Sequence, residues 1–306
     1  MKDKILVIGS LNYDIILKQK RLPQAGETYA VDAAMFCGGG KGANQAVQSA
    51  KLGADVYMVG AVGSDAMGTY LRETLLKYGV KDKYLKTTEG ESGVGIVNCL
   101  EDGTVFANIV KGANYEMNQA DIDKLDEVLK NTKVIILQLE IPVAVVEYVI
   151  EKASKMEIKI ILNAAPAIPV SEDIIKKCDY FVVNEIESSY YCNRNIDNVE
   201  TAKEAIMEFC EKYKVNSVFT LGKDGAVVCD GKEVKYFPSY KVNAVETTGA
   251  GDSFVGALGY CMIYDMDLFQ AAKFATCCSA LTVCGIGAQP AMPTLEEAKN
   301  FETMHD

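Results

Sequence analysis

The chain has 306 residues, enough to bury a large core, and its 31 basic and 42 acidic side chains give a net charge of −11. With that balance and no basic block of any length, nucleic acid and anionic membrane surfaces are excluded as expected partners. Apolar runs such as Val134–Leu137 fall far short of a membrane span, so a soluble chain is expected.

In chain order, the apolar run at the N-terminus is too short for a signal peptide, and Ile5–Ile8 reads as a first strand. From Asn12 to Phe36 short alternating runs such as Tyr13–Leu17 lack helical periodicity and predict strands. A helix over Gly42–Lys51, a strand over Asp55–Val59 and a helix over Ala66–Tyr78 follow. From Ser92 to Val110 the alternating character returns, with strands near Val94–Asn98 and Val105–Ile109 and a turn at Glu101-Asp102-Gly103. Strands over Val134–Leu139, Lys159–Leu162, Tyr180–Val183 and Ser217–Leu221 then alternate with helices over Val143–Lys155 and Thr201–Tyr213. This β–α alternation predicts an α/β fold whose mainly parallel sheet is covered by helices on both faces. The two irregular stretches, about residues 12–38 and 92–110, read as a small antiparallel sheet inserted into a single domain spanning 1–306. Such a sheet would be a lid, an oligomer surface, or both. There is no internal repeat and no low-complexity linker.

Ten cysteines are present, none in a C-x-x-C pair, and most sit in or beside apolar runs, which fits a reducing cytoplasm. Cys277 and Cys278 are adjacent on a predicted helix and read as packed thiols, with a vicinal redox pair as the alternative. The only histidine, His305, lies next to the C-terminus. A Ser-His-Asp triad, a His–Cys dyad or a His-ligated metal therefore has no histidine held in the fold, and a general base must be Asp, Glu, Lys, Tyr or Cys.

Candidate site residues cluster just after strands, where ligands of open parallel sheets bind. In Thr247-Thr248-Gly249-Ala250-Gly251-Asp252, a small-residue turn precedes the apolar helical stripe of Phe254, Ala257, Leu258, Cys261 and Met262. Unpaired N–H groups there make an anion site, and Asp252 is either its chemical partner or a plain helix-start acid. Gly38-Gly39-Gly40-Lys41-Gly42-Ala43-Asn44 is neither a P-loop nor a dinucleotide fingerprint, but offers open backbone, an ammonium and an amide suited to hydroxyls; alone it also reads as a flexible turn. Asn12 and Asp14 share one face of extended chain, and Glu140 adds a third polar group at a strand end. Asn184 and Glu187 open a helix, where the acid would hold hydrated Mg²⁺ or simply belong to an acidic first turn. Thr220-Leu221-Gly222-Lys223-Asp224-Gly225 suits a nucleotide or a hairpin.

Taken together and in this order, these motifs resemble the ribokinase (PfkB) family of sugar kinases from about Lys4 to Pro293. The resemblance implies a three-layer α/β/α core with a β-sheet lid that forms a homodimer clasp. It implies ATP-dependent phosphorylation of D-ribose at the 5-hydroxyl; a kinase for another sugar or a nucleoside, and a non-catalytic sugar or nucleotide sensor, remain alternatives. Carried over by position, Asn12, Asp14, Gly39, Gly40, Lys41, Asn44 and Glu140 would bind sugar hydroxyls. Asp252 would be the base, and the amides of Gly249, Ala250 and Gly251 the anion hole. Asn184, Thr220, Leu221, Gly222, Gly225, Gly251 and Thr276 would bind ATP, with Glu187 ordering Mg²⁺ through water. Glu246, Thr248, Thr282, Gly285 and Gly287 would surround a potassium ion. Glu246 and Ala291 depart from the Asp and Ser usual there, which leaves potassium activation open, and Thr276 replaces the usual Asn or His near adenine.

Overall fold

The computed structural model describes residues 3–101 and 105–305, so the turn expected at Glu101-Asp102-Gly103 lies mostly outside the described residues. Thirteen strands are formed among them: β1 (Lys4–Ile8), β2 (Asn12–Gln19), β3 (Ala33–Gly39), β4 (Asp55–Gly63), β5 (Lys81–Thr88), β6 (Gly93–Leu100), β7 (Val105–Val110), β8 (Thr132–Leu137), β9 (Lys159–Asn163), β10 (Tyr180–Val183), β11 (Asn216–Thr220), β12 (Ala226–Cys229) and β13 (Val234–Phe237). Nine form one sheet in the order β13-β12-β11-β10-β9-β8-β1-β4-β5. Every pair from β11 to β5 is parallel, and β12 and β13 extend the β11 edge antiparallel.

The central strands are unbroken apolar runs because both faces are covered. Along them Leu6, Ile8, Ile135, Leu137, Ile160 and Leu162 enter one core, while Ile5, Val7, Val134, Ile136 and Ile161 enter the other. Helices Val143–Ala153 and Val199–Tyr213 close the first face through residues such as Val146, Ile150, Ile206 and Phe209. Helices Lys41–Lys51, Ala66–Lys77, Ala250–Ile263 and Leu268–Thr282 close the second. The helices expected from periodicity are present within two residues at either end. Strand β8 stops at Leu137, before the expected Leu139, and β4 runs on to Gly63. β12 pairs antiparallel with β11 across Gly222–Gly225, the hairpin the sequence offered there, whereas β5 and β13 were not expected: β5, Lys81-Asp82-Lys83-Tyr84-Leu85-Lys86-Thr87-Thr88, is a polar edge strand with little apolar signal.

A second sheet has the order β3-β2-β6-β7. Its outer pairs, β2–β3 and β6–β7, are antiparallel as expected, whereas the central pair β2–β6 runs parallel. The cause is topological. β2 follows β1 and β6 follows β5, both preceding strands point the same way in the large sheet, and both continuations leave its carboxyl edge together. All ten cysteines are free, and Cys277 and Cys278 are both buried as packed thiols. Among the described residues no helix is long and apolar enough to cross a membrane.

Candidate active site

Helix Ala250–Ile263 starts at Gly249, whose φ of 80° is open to glycine and strained for other residues. A Cβ on Gly249 would also lie 2.5 Å from the Ala288 Cβ, whereas one on Gly251 would meet nothing within 4 Å. The turn is therefore packed on one side and open on the other, the geometry of an anion cradle. Asp252 follows, only 9% exposed. Its Oδ2 accepts from Asn44 Nδ2 and its Oδ1 from Gln45 Nε2, each at 2.9 Å. Burial raises the Asp252 carboxyl above its ordinary value, while the Lys41 ammonium and the two amide donors oppose that rise and Glu140 adds to it.

The small sheet contributes Asn12 and Asp14 to this region, and Glu140 comes from the segment after β8 of the large sheet. Asp14 is buried on β2, and burial, with the Glu140 and Asp252 charges, pushes it up to about 7. Its neighbours must be glycine: a Cβ on Gly39 would lie 1.9 Å from Asp14 Oδ2, and one on Gly95 2.2 Å from Oδ1. Gly40 turns at φ 87°, where a Cβ would strike the Asn12 amide nitrogen at 2.7 Å. Asn12 Oδ1 accepts from Asn114 Nδ2 at 2.8 Å, and Asn114 also brackets Leu11 through both of that residue's backbone groups. Glu140 accepts from Ser10 Oγ at 2.5 Å and from the Lys41 backbone N–H at 3.2 Å. Burial would lower the Lys41 ammonium, but Asp252, Glu140 and Glu187 outweigh it and hold the charge. Asn44 reaches the same cluster with both ends of its amide engaged, since its Oδ1 accepts from Gln289 Nε2 at 3.0 Å.

On the other side of Asp252 opens a cavity of about 410 Å³. Asn184, Thr220, Gly222, Gly225, Gly251 and Thr276 line it, as the sequence predicts; Leu221 is 3% exposed and stands behind the wall. Phe254, the first residue of the apolar helical stripe, adds apolar surface, as do Tyr240, Val242 and Val283, which no sequence motif marked. Asn184 and Glu187 form a reciprocal helix cap: Asn184 Oδ1 accepts from the Ile186 and Glu187 N–H groups, and Glu187 Oε2 accepts from the Asn184 N–H. Glu187 is nevertheless held up by burial, with the Asn184 N–H and Lys41 opposing. The acidic-first-turn reading is thus correct as local structure, yet places a buried carboxylate beside both the cavity and Lys41. Among the described residues no group of three or more His, Cys, Asp or Glu is arranged to hold a metal.

Two loops meet next to the anion cradle. The Val245 and Glu246 N–H groups donate to the Val283 carbonyl, and Glu246 Oε2 accepts from the Gly287 N–H at 3.0 Å. Glu246 Oε1 is buried without a hydrogen-bond partner among the described residues. The Gly285 N–H donates to the Thr282 carbonyl, and the Thr282 hydroxyl is tied inward to Ser253 Oγ and the Cys278 carbonyl. Thr248, half-buried, lies on the first of these loops.

Sequence reasoning missed Asn114 and the amides behind Asp252: Gln45, Gln138, Asn163 and Gln289. Gln45 followed directly on a recognised motif and was the one within reach. Comparison with known proteins agrees with the geometry. The profile of the pfkB family carbohydrate kinases matches residues 2–295. A ribokinase of Bacillus subtilis is 36% identical over 97% of this chain and 98% of its own, and a deoxyribokinase of Salmonella typhi is 34% identical over 99% of both. The structure of Arabidopsis thaliana ribokinase complexed with ribose and ATP superimposes with a TM-score of 0.88 at 29% identity, covering 99% of each chain. With a family match over nearly its whole length and full-length relatives above 30% identity, the chain belongs to the pfkB family of carbohydrate kinases.

Proposed function

We propose that the protein transfers the γ-phosphoryl group of ATP to the 5-hydroxyl of D-ribose. The observation that carries this reading is the position of Asp252, a buried carboxylate at the head of an open glycine turn, between the polar cluster of Asn12, Asp14, Lys41 and Glu140 and the cavity. Attack by the sugar O5 forms its bond to the γ-phosphorus as the bond from that phosphorus to the bridging oxygen of ADP breaks. The O5 proton passes to Asp252. Phosphoryl transfer asks mainly for positioning and charge neutralisation, so an acid base without histidine is sufficient. The N–H groups of Gly249 and Gly251 would receive the transferring group, that of Ala250 being donated to the Thr247 carbonyl at 3.3 Å, and Lys41 would supply positive charge beside it.

Magnesium fits the residues present, because it keeps most of its waters and needs few protein ligands; Glu187 would hold it through water, where it supplies charge neutralisation for the phosphates. A monovalent cation fits the loop pair beside the turn, where the buried Oε1 of Glu246 has no hydrogen-bond partner among the described residues while its Oε2 accepts from the Gly287 N–H. Its role would be to stiffen the turn that carries the anion hole.

The deoxyribokinase relative, as similar over its length as the ribokinases, makes 2-deoxyribose the second reading. A panel of ribose, 2-deoxyribose, fructose and nucleosides, assayed for ADP release with Mg-ATP, decides among them. Ribose is expected to give the highest kcat/KM, and binding without ADP release would instead mark a sensor. Asp252→Asn should lower kcat by about 10²–10⁴-fold while ATP still binds; near-parental turnover would remove Asp252 from the role of base. Adding potassium should raise kcat, and Glu246→Gln should blunt the response; equal rates in potassium-free buffer would exclude the cation from the reaction.

A further inference from the structure

Asp252 is held by more than the motif residue Asn44. Gln45, the next residue on helix Lys41–Lys51, is fully buried, and its Nε2 donates to Asp252 Oδ1 at 2.9 Å and to Asn163 Oδ1 at 3.0 Å. The orientation of this amide is forced. Asn163 Nδ2 donates to the Val182 carbonyl at 3.0 Å, and a carbonyl can only accept, so Asn163 must turn its oxygen to Gln45. At the other end Gln45 Oε1 accepts from Gln138 Nε2 at 2.6 Å, and Gln138 is itself fully buried. The Gln45 amide therefore has no freedom to flip, and its donor faces the carboxylate permanently. Asn44 approaches the other oxygen and is fixed in turn by Gln289, which is 2% exposed.

We infer that Gln45, locked by Gln138 and Asn163, is a positioning residue that holds the Asp252 carboxylate through Oδ1 in the orientation and charge state a base needs. This rests on the reading of Asp252 as base. Gln45 has no exposed surface, and its amide is fully engaged by Asp252, Asn163 and Gln138, so it acts through Asp252 rather than on a sugar. A hydrogen bond to the charged form of a carboxylate favours ionisation, so Gln45 also opposes the upward pull of burial on the base. The charged groups facing Asp252 are Lys41 from the same helix, Glu140 after β8 and Asp14 from β2. None of them is touched by replacing Gln45.

The test is Gln45→Met, which keeps length and apolar bulk and removes the donor. Two measurements are made: the pH profile of kcat/KM, and a ¹³C-carboxyl NMR titration of Asp252 in the full chain without substrate, the resonance being assigned by its loss in Asp252→Asn. The acid limb and the NMR midpoint are both expected to rise by about one pH unit, and kcat to fall about 10-fold, with the ATP KM within twofold of the parent. An unmoved limb and midpoint would overturn the inference. If the parent phosphorylates no sugar and the midpoint still rises, the proposed activity fails and the role of Gln45 in setting the carboxylate stands. Should Gln45→Met not fold, Gln138→Leu, which removes only the anchor of Gln45 Oε1, must shift the same two readouts in the same direction, and no shift would again overturn it.

Discussion

At the scale of single residues, the site is governed by carboxylates that burial keeps from ionising easily. Asp14 reaches about 7, against an ordinary 3.8. A folded-state value raised in this way means that Asp14 contributes stability fully below its ordinary value and loses that contribution as pH rises through about 7. The ionised carboxylate is the better acceptor for sugar hydroxyls, so the KM for sugar should fall as pH increases from 6 to 8. Asp14→Asn should flatten that profile, and a KM independent of pH in the parent would refute the assignment. Gly251 gives a second test. A Cβ there meets nothing within 4 Å, so Gly251→Ala should leave thermal stability equal or better, by up to about 1 kcal/mol of helix propensity. Its methyl group would stand where the phosphate passes, and kcat should drop at least 10-fold. A stable and fully active variant would show that the open side of the turn is not used.

At the scale of elements, the contiguous motifs were readable and the long-range partners were not. Gly249-Ala250-Gly251 and Gly39-Gly40-Lys41 could be recognised because each packs its chemistry into one turn before a helix. Glu187 was read as a carboxylate holding hydrated Mg²⁺ or as part of an acidic first turn, and the structure has it in that turn as one half of a reciprocal cap with Asn184. The amides behind Asp252 could not be read. Gln138 and Asn163 lie 93 and 118 residues from Gln45, and a lone glutamine at the end of a strand has no local signature. The parallel pairing of β2 with β6 was hidden for a similar reason, since it is decided by which edge of another sheet the two segments leave. The small sheet carries its own test: Gly39→Ala must displace Asp14 or strand β3, and sugar KM should rise at least 10-fold with ATP KM unchanged. Equal sugar KM would mean that Asp14 does not contact the sugar.

At the scale of the molecule, the edge strands of the small sheet leave Phe36 56%, Phe106 45%, Ile109 44% and Val110 47% exposed. Open strand edges with apolar side chains call for a cover, and we propose a second copy of the chain. Light scattering at working concentration should give a dimer that Phe36→Glu with Ile109→Glu converts to monomer; a monomeric parent would refute it. The parallel β2–β6 pair has a consequence of a different kind. Asn12, Asp14, Gly39 and Gly95 all stand on strands of the small sheet, whereas Asp252, the glycine turn and the cavity belong to the large one. Two pieces of chain, joined to the rest near Leu11, Gly40, Ser92 and Lys111, thus form a module. Exchanging both pieces together between relatives would keep the parallel pair intact and would move Asn12 and Asp14 while leaving Lys41, Asn44, Glu140 and Asp252 in place, whereas exchanging either alone would put strands of two different chains into that pair.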